Sequence, residues 1–127
     1  MDTTQSALAA LKDLIEPWTN ACLERDWDAL LGMCTADIVF MPSGEPSKAG
    51  PEVRPWLEAF PEITEMSWDV SSLEAEGSLA FARGPVKQTL RVDGKHQVVD
   101  AKFCDLLRRE GDGHWRFAVV AWSPNGQ

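Results

Sequence analysis

The chain has 127 residues, of which 44% are apolar and 25% are charged, as in an ordinary globular protein. Twenty acidic and twelve basic residues give a net charge of -8, and such an acidic chain repels nucleic acids and anionic membranes. No apolar run is long enough to span a bilayer, and the first residues lack the basic and apolar regions of a secretory signal. We therefore expect a single cytoplasmic domain over residues 1–127 that binds neither nucleic acid nor membrane.

The first third of the chain has the periodicity of helices. Apolar residues spaced by three and four run from Leu8 to Cys22 and predict an amphipathic helix. Asp26 is a suitable N-cap for a short second helix. A strand with the sequence IVFMPS follows, and then a third helix, for which either Pro51 or Pro55 could be the first residue.

In the second half of the chain the apolar residues alternate, as they do in strands. The alternation slips at residues 71–72 and again at 84–85, which predicts β-bulges that bend the sheet. Asp93 and Gly94 predict a two-residue hairpin turn, and residues 111–113 predict a second hairpin. The sequence therefore predicts an α+β fold, with three N-terminal helices packed in a strongly curved antiparallel sheet.

One acidic residue, Asp105, interrupts an apolar strand face. Alternate side chains of a strand point to the same face, and the odd-numbered residues around it are Val99, Ala101, Phe103 and Leu107. If the second hairpin pairs Glu110 with His114, Asp105 lies opposite Val119 and beside Phe81 or Ala82.

All of these neighbours are apolar, so we expect the Asp105 carboxyl to point into the interior. An ionised carboxylate there needs a partner or a raised pKa. Arg83 lies in the same predicted phase as Phe81 and is the candidate partner if Asp105 has only a structural role.

The thiols and imidazoles give weaker signals. Cys22, Cys34 and Cys104 are odd in number and follow no CxxC spacing, so we expect packed, reduced thiols. His96 and His114 flank the predicted hairpin turns and have no third ligand at metal spacing. We therefore predict neither a metal nor a cofactor.

Three stretches carry a resemblance to a known family: ERDWDALLGMCTADIVFMPSGEP, then EGSLAFARG, then KFCDLLRREGDGHWRF followed by AVVAWS. In their order and spacing the chain resembles the nuclear transport factor 2-like superfamily, and within it the SnoaL-like and ketosteroid-isomerase-like proteins, from Trp18 to Ser123. The resemblance implies a cone-shaped, cystatin-like roll with a deep pocket at one end. It also implies a homodimer formed through the outer face of the sheet.

Carried over residue by residue, the resemblance sets Asp105 where ketosteroid isomerases keep a protonated aspartic acid. Their oxyanion tyrosine aligns with Trp18 and their general-base aspartate with Pro42, so a standard ketosteroid isomerase activity is excluded. The SnoaL-like polyketide cyclases, by the same resemblance, work with a single acid/base aspartate.

Two functional hypotheses follow for a pocket that binds a small, apolar, carbonyl-type ligand. The protein is either a cofactor-free cyclase or isomerase with Asp105 as acid or base, or a non-catalytic ligand-binding or dimeric accessory module in which Asp105 pairs with Arg83. The predicted pocket residues are Trp18, Phe40, Trp68, Phe81, Arg83, Phe103, Leu107, Val119 and Trp122. The remaining tryptophans, Trp27, Trp56 and Trp115, are expected in the structural core or at its edge. Glu45 is either a rim residue or, more simply, a turn residue facing water.

Overall fold

A computed structural model describes residues 2–126 of the chain. Its helices are α1 (Thr3–Glu24), α2 (Trp27–Gly32) and α3 (Val53–Ala59), with a 3-10 turn over Gly50–Glu52. None of the helices between residues 2 and 126 has both the length and the apolar character needed to cross a membrane.

Side-chain caps explain where the first two helices begin. The Asp2 carboxylate accepts a hydrogen bond from the Gln5 N–H at 2.8 Å at the start of α1. Asp26 accepts from the Ala29 N–H at 3.1 Å at the start of α2, so its prediction as an N-cap is confirmed. Such caps satisfy N–H groups that have no partner within the helix.

The third helix begins at neither of the two predicted prolines. Pro51 lies in the 3-10 turn, and α3 begins at Val53. Pro55 lies in the first turn of α3, where its missing N–H removes no intrahelical hydrogen bond.

The strands form one curved, unclosed sheet in the order β2-β1-β7-β6-β5-β3, with β4 also paired to β5. They are β1 (Cys34–Pro42), β2 (Lys48–Ala49), β3 (Glu62–Trp68), β4 (Ser72–Glu76), β5 (Leu79–Val92), β6 (Lys95–Arg109) and β7 (Trp115–Pro124). The α+β class is confirmed, but the sheet is mixed rather than antiparallel, because β1 pairs with β7 in parallel. Residues 43–114 separate these two strands and supply the long connection that a parallel pair requires. The cone shape of the sheet stays a prediction.

Both predicted hairpins are present. Asp93 and Gly94 have φ angles of 53° and 76°, as a two-residue type I′ turn requires, and they join β5 to β6. Between β6 and β7, the Glu110 N–H donates to the His114 carbonyl at 2.9 Å. Local turn chemistry therefore sets the β5–β6–β7 meander.

The predicted phase slips are strand breaks and partner changes rather than bulges. Residues 69–71 separate β3 from β4, while β5 stays in continuous register with β6 from Leu79 to Val92. At Gly84 and Pro85, β5 changes its other partner from β4 to β3. The even-numbered residues of β5 from Ala80 to Leu90 consequently lie on one side of the sheet, which is the more buried side. We call that side of the sheet the inner face and the opposite side the outer face.

The core lies between α1, α2 and the inner face. Its most completely buried large side chains are Leu11, Leu30, Leu107 and Phe117. Trp18 of α1 stacks obliquely on Phe117 of β7, with ring centroids 4.6 Å apart. Burying each such side chain contributes about 1.5–3 kcal/mol, so this layer fixes the helices against the sheet.

Candidate functional site

Asp105 lies on the inner face of β6, as the alternation predicts. It pairs with Ala82 on β5 and with Val120 on β7, and its side chain is only 5% exposed. The expectation that Val119 lies opposite is wrong, because the β6–β7 register shifts between Leu106 and Leu107. One extra residue of β7, Ala118, is accommodated at that shift. Val120 therefore takes the inward position that an unbroken ladder would give to Val119.

The Asp105 carboxyl has one hydrogen-bond partner. Oδ1 accepts from the Ala121 N–H at 3.2 Å, and among residues 2–126 no cationic side chain is within salt-bridge distance of it. Burial raises the pKa of Asp105 to about 8, although the Ala121 N–H acts in the opposite direction. The Ala121 N–H occupies Oδ1, which leaves Oδ2 without a hydrogen-bond partner among the described residues.

The pairing of Asp105 with Arg83 does not occur. Arg83 pairs with Cys104 across the β5–β6 ladder and is exposed on the outer face. Phe81 lies on that same face and is 41% exposed. The prediction of both as pocket residues assumed a phase slip at Gly84, and no slip occurs there. Asp105 therefore faces the interior, and no residue between 2 and 126 forms a salt bridge with it.

A cavity of about 80 Å³ lies beside Asp105, and half of the residues in its wall are aromatic. Of the predicted pocket residues, Trp18, Phe40, Trp68, Phe103 and Trp122 line it together with Asp105. Leu107 is fully buried in the core but is not part of the wall, and Val120 takes the place of Val119. One water needs about 10–15 Å³ by this measure. The cavity therefore has room for a few waters, and a ring-sized ligand requires aromatic side chains to move.

Sequence reasoning missed two tryptophans of the wall, Trp27 of α2 and Trp56 of α3. Trp56 packs against Phe40 and Phe60, with ring centroids 5.4 and 5.6 Å away. Its Nε1–H donates to Glu45 Oε1 at 3.1 Å, so Glu45 orients a wall residue instead of facing only water. The spacing of four residues between Trp56 and Phe60 could have predicted that Trp56 lines the wall, because it places both rings on one side of a helix.

Arg25 holds the C-terminal end of α3, close to Trp56 and to the C-cap residue Phe60. Its guanidinium donates to the carbonyls of Glu58 and Phe60 at 2.8 and 2.9 Å. Arg25 is also the left-handed C-cap residue of α1, with φ of 56°. One side chain therefore couples the ends of two helices that border the cavity.

The thiols and imidazoles supply no second acid or base in the cavity. Burial raises the pKa of the Cys22 thiol, which lines the wall, to about 12. Cys34 is also buried, as predicted, whereas Cys104 is exposed because it is on the outer face. Both histidines are exposed. Among residues 2–126 no group of three or more His, Cys, Asp or Glu side chains could hold a metal ion.

The fold and this site are those of a small helix-and-curved-sheet pocket domain, and the family comparison agrees. A protein-family model, described as the SnoaL-like domain, matches residues 15–118 of this chain. The chain belongs to the SnoaL-like family, and the resemblance drawn from the sequence is confirmed. No curated protein matches the chain.

Solved structures share the fold at low sequence identity. A ketosteroid isomerase-like protein from Erwinia carotovora atroseptica is 20% identical over 94% of this chain and 97% of its own, with a TM-score of 0.81. A hexachlorocyclohexane dehydrochlorinase from Novosphingobium barchaimii is 17% identical over 96% and 88%, with a TM-score of 0.76. An NTF2-like protein of unknown function from Pseudomonas putida is 21% identical over 96% and 89%, with a TM-score of 0.72. At these identities the likeness concerns the fold, and isomerase-like and dehydrochlorinase proteins both occur on it.

Proposed function

We propose that this protein binds a small apolar carbonyl compound in the aromatic cavity and acts on it by general acid–base chemistry through Asp105, without a cofactor. One observation carries the proposal: a buried carboxyl without a counter-charge lines an aromatic cavity. Its pKa of about 8 lies near neutrality, where a group both donates and accepts protons efficiently. Fold analogy alone would not justify this assignment.

The chemistry assigns a separate role to each carboxyl oxygen. The Ala121 N–H holds Oδ1, and the protonated Oδ2 donates a hydrogen bond to the ligand carbonyl. In the ionised form, the carboxylate takes a proton from the carbon next to the carbonyl, which leaves an enolate. When a carbon–carbon double bond lies beyond that carbon, return of the proton to the far end of the resulting dienolate is an isomerisation. When the enolate instead attacks a second carbonyl, a carbon–carbon bond forms, and transfer of the proton from Asp105 to the resulting alkoxide completes a cyclisation.

The alternative is a ligand-binding or accessory module without catalysis. The observation that favours it is that, among the described cavity residues, Asp105 is the one side chain that titrates near neutral pH. Trp18 and Pro42 stand where the oxyanion tyrosine and the general base of ketosteroid isomerases align. Such a module would bind the same class of ligand and leave it unchanged.

Hydrogen exchange separates these two functions without knowledge of the natural substrate. Methyl ketones of increasing chain length are incubated with the protein in D2O, and exchange of the hydrogens next to the carbonyl is followed by NMR. The proposal predicts exchange above the buffer rate for ketones that bind, and a loss of about a hundredfold or more in Asp105→Asn. Arg83→Gln, on the outer face, is the matched control and should exchange like the unaltered protein.

Two outcomes would contradict the proposal to different extents. Binding of methyl ketones without accelerated exchange would leave the non-catalytic module. Absence of any ketone binding would overturn the ligand class itself.

The proposal includes a homodimer formed through the outer face of the sheet. Two rows of mostly apolar side chains cross that face in register. One row is Met41, Ala121, Cys104 and Arg83, and the other is Val39, Val119, Leu106 and Phe81. Met41 is 46% exposed and Leu79, at the end of the face, 49%. Exposed apolar patches of this kind mark interaction sites.

The acidic net charge of the protein and its thiols are consistent with a location in the cytoplasm.

A further inference from the structure

The cavity wall has a second polar side chain, Gln88, to which the acid–base proposal gives no role. The inward residues of β5 from Ala80 to Leu90 are apolar or glycine at every position except Gln88. On the neighbouring strand β6, Asp105 is likewise the one polar residue among the inward positions from Val99 to Leu107. Each strand of this hairpin therefore holds one polar group against the cavity.

The Gln88 amide retains most of its hydrogen-bonding capacity. Its Nε2 lies 3.8 Å from Met66 Sδ, and a thioether sulfur is a weak acceptor. The indole N–H groups of Trp56 and Trp68, also in the wall, are already donated to Glu45 and Thr19. A half-buried amide in an apolar wall is costly unless a partner completes its hydrogen bonds.

Gln88 and Asp105 border different parts of the same cavity. Gln88 pairs with Val99 on β6, and Asp105 is six residues further along that strand. Six residues correspond to about 20 Å of extended strand, and sheet curvature and inward-pointing side chains shorten the gap between the polar atoms. Asp105 is buried, whereas Gln88 is half-buried and therefore closer to solvent.

We infer that Gln88 is the second anchor of the site and that the ligand is an elongated, mostly apolar carbonyl compound with a hydroxyl or similar hydrogen-bonding group at its far end. Asp105 binds the carbonyl, the aromatic wall covers the apolar middle, and the Gln88 amide binds the far group. Gln88 is thus a positioning and specificity-determining residue. The inference rests on the proposed function, because it assigns the other end of the same ligand.

A series of matched probes of increasing chain length tests this inference. Each probe is a methyl ketone with a terminal hydroxyl, compared with the ketone that carries a methyl group in place of that hydroxyl. Dissociation constants are measured by tryptophan fluorescence and ligand-detected NMR. We expect the hydroxyl to weaken binding in short chains and to strengthen it by about two- to tenfold at the chain length that reaches Gln88.

Three variants separate recognition from a structural effect. Gln88→Met should abolish the preference for the hydroxyl at every length, while unsubstituted ketones should still bind. Gln88→Asn, which is one methylene shorter, should move the preferred chain length upward by one carbon. Lys87→Met, on the outer face of the same strand, should leave the preference as it is.

The outcomes distinguish this inference from the proposed function. If methyl ketones bind but no chain length shows a hydroxyl preference, or if Gln88→Met retains one, the inference is overturned and the proposed function stands. If no methyl ketone binds, both the proposed function and this inference are overturned.

Discussion

At the scale of single residues, the environment of Asp105 makes it an acid rather than an anion. It is surrounded by Ala82, Val120 and aromatic rings, and the Ala121 N–H is its one polar partner among the described residues. Desolvation outweighs one neutral hydrogen bond, so the pKa rises. A carboxyl that is neutral at pH 7 can donate a hydrogen bond to a carbonyl, which a carboxylate cannot.

The raised pKa predicts a specific pH dependence of stability. The folded chain retains a proton up to about pH 8, whereas the unfolded chain releases it near pH 3.9. This contribution to stability is therefore complete below about pH 4 and is lost as the pH rises to about 8. In urea denaturation, Asp105→Asn should gain stability relative to the unaltered protein by about 1.4 kcal/mol per pH unit within that window.

Asp100→Asn is the matched control, since Asp100 is an exposed carboxylate on the same strand. Its stability, measured at the same pH values, is the baseline against which the difference for Asp105→Asn is compared. If Asp105→Asn and the unaltered protein keep a constant difference in stability from pH 5 to 8, Asp105 is ionised in the folded state and the acid–base role is excluded.

At the scale of elements, one glycine allows β5 to change partner. The Asp69 N–H donates to the Pro85 carbonyl at 3.3 Å and the Ser71 N–H to the Arg83 carbonyl at 2.8 Å. These bonds hold the segment between β3 and β4 directly over Gly84. A Cβ at Gly84 would overlap the Asp69 carbonyl oxygen and lie 3.1 Å from the Phe103 ring.

Gly84→Ala should therefore destabilise the protein, by about 1–3 kcal/mol, since backbone would have to move to admit a methyl group. Gly111→Ala is the control, because nothing lies near its Cβ position and the change should alter stability by less than about 0.5 kcal/mol. Equal unfolding midpoints in urea for the two variants would show that the close approach at Gly84 contributes nothing to stability.

Some features of the helices and strands could be predicted from the sequence, and others could not. The Asp26 cap, the Asp93–Gly94 turn and the inward direction of Asp105 were predictable, because a few neighbouring residues determine each of them. The partner of Asp105 across β7 was not, since the register shift at Ala118 leaves no local mark in an apolar strand. The outward direction of Phe81 and Arg83 was missed because their phase depends on β6, which holds β5 in register through Gly84 and Pro85.

At the scale of the whole molecule, the parallel pairing of β1 with β7 has no local signature either. It joins residues about eighty positions apart and depends on how the sheet packs over the helices. The aromatic cavity is also a product of packing, since Trp27 and Trp56 reach it from two short helices. The outer face, in contrast, carries large apolar side chains that are exposed, among them Met41, Leu79 and Phe81.

The proposed dimer predicts that a charge on the outer face separates the subunits. The unaltered protein should sediment as a dimer at micromolar concentration, and Phe81→Glu should shift it to monomer, because a carboxylate would be buried unpaired between two copies. Val92→Glu is the control, since Val92 is similarly exposed but belongs to the inward phase at the end of the β5–β6 hairpin. A monomer for the unaltered protein, or a dimer unaffected by Phe81→Glu, would contradict the assignment of this face.

The proposed acid–base function requires Asp105 to be a neutral, unpaired acid in an apolar cavity. Its most direct test is the side-chain pKa, measured by carbon-detected NMR titration and assigned against Asp105→Asn. We predict a carboxyl carbon that titrates near pH 8. A value at or below the ordinary figure of about 3.9 would mean that the carboxylate is hydrated or paired, and it would contradict the acid–base function.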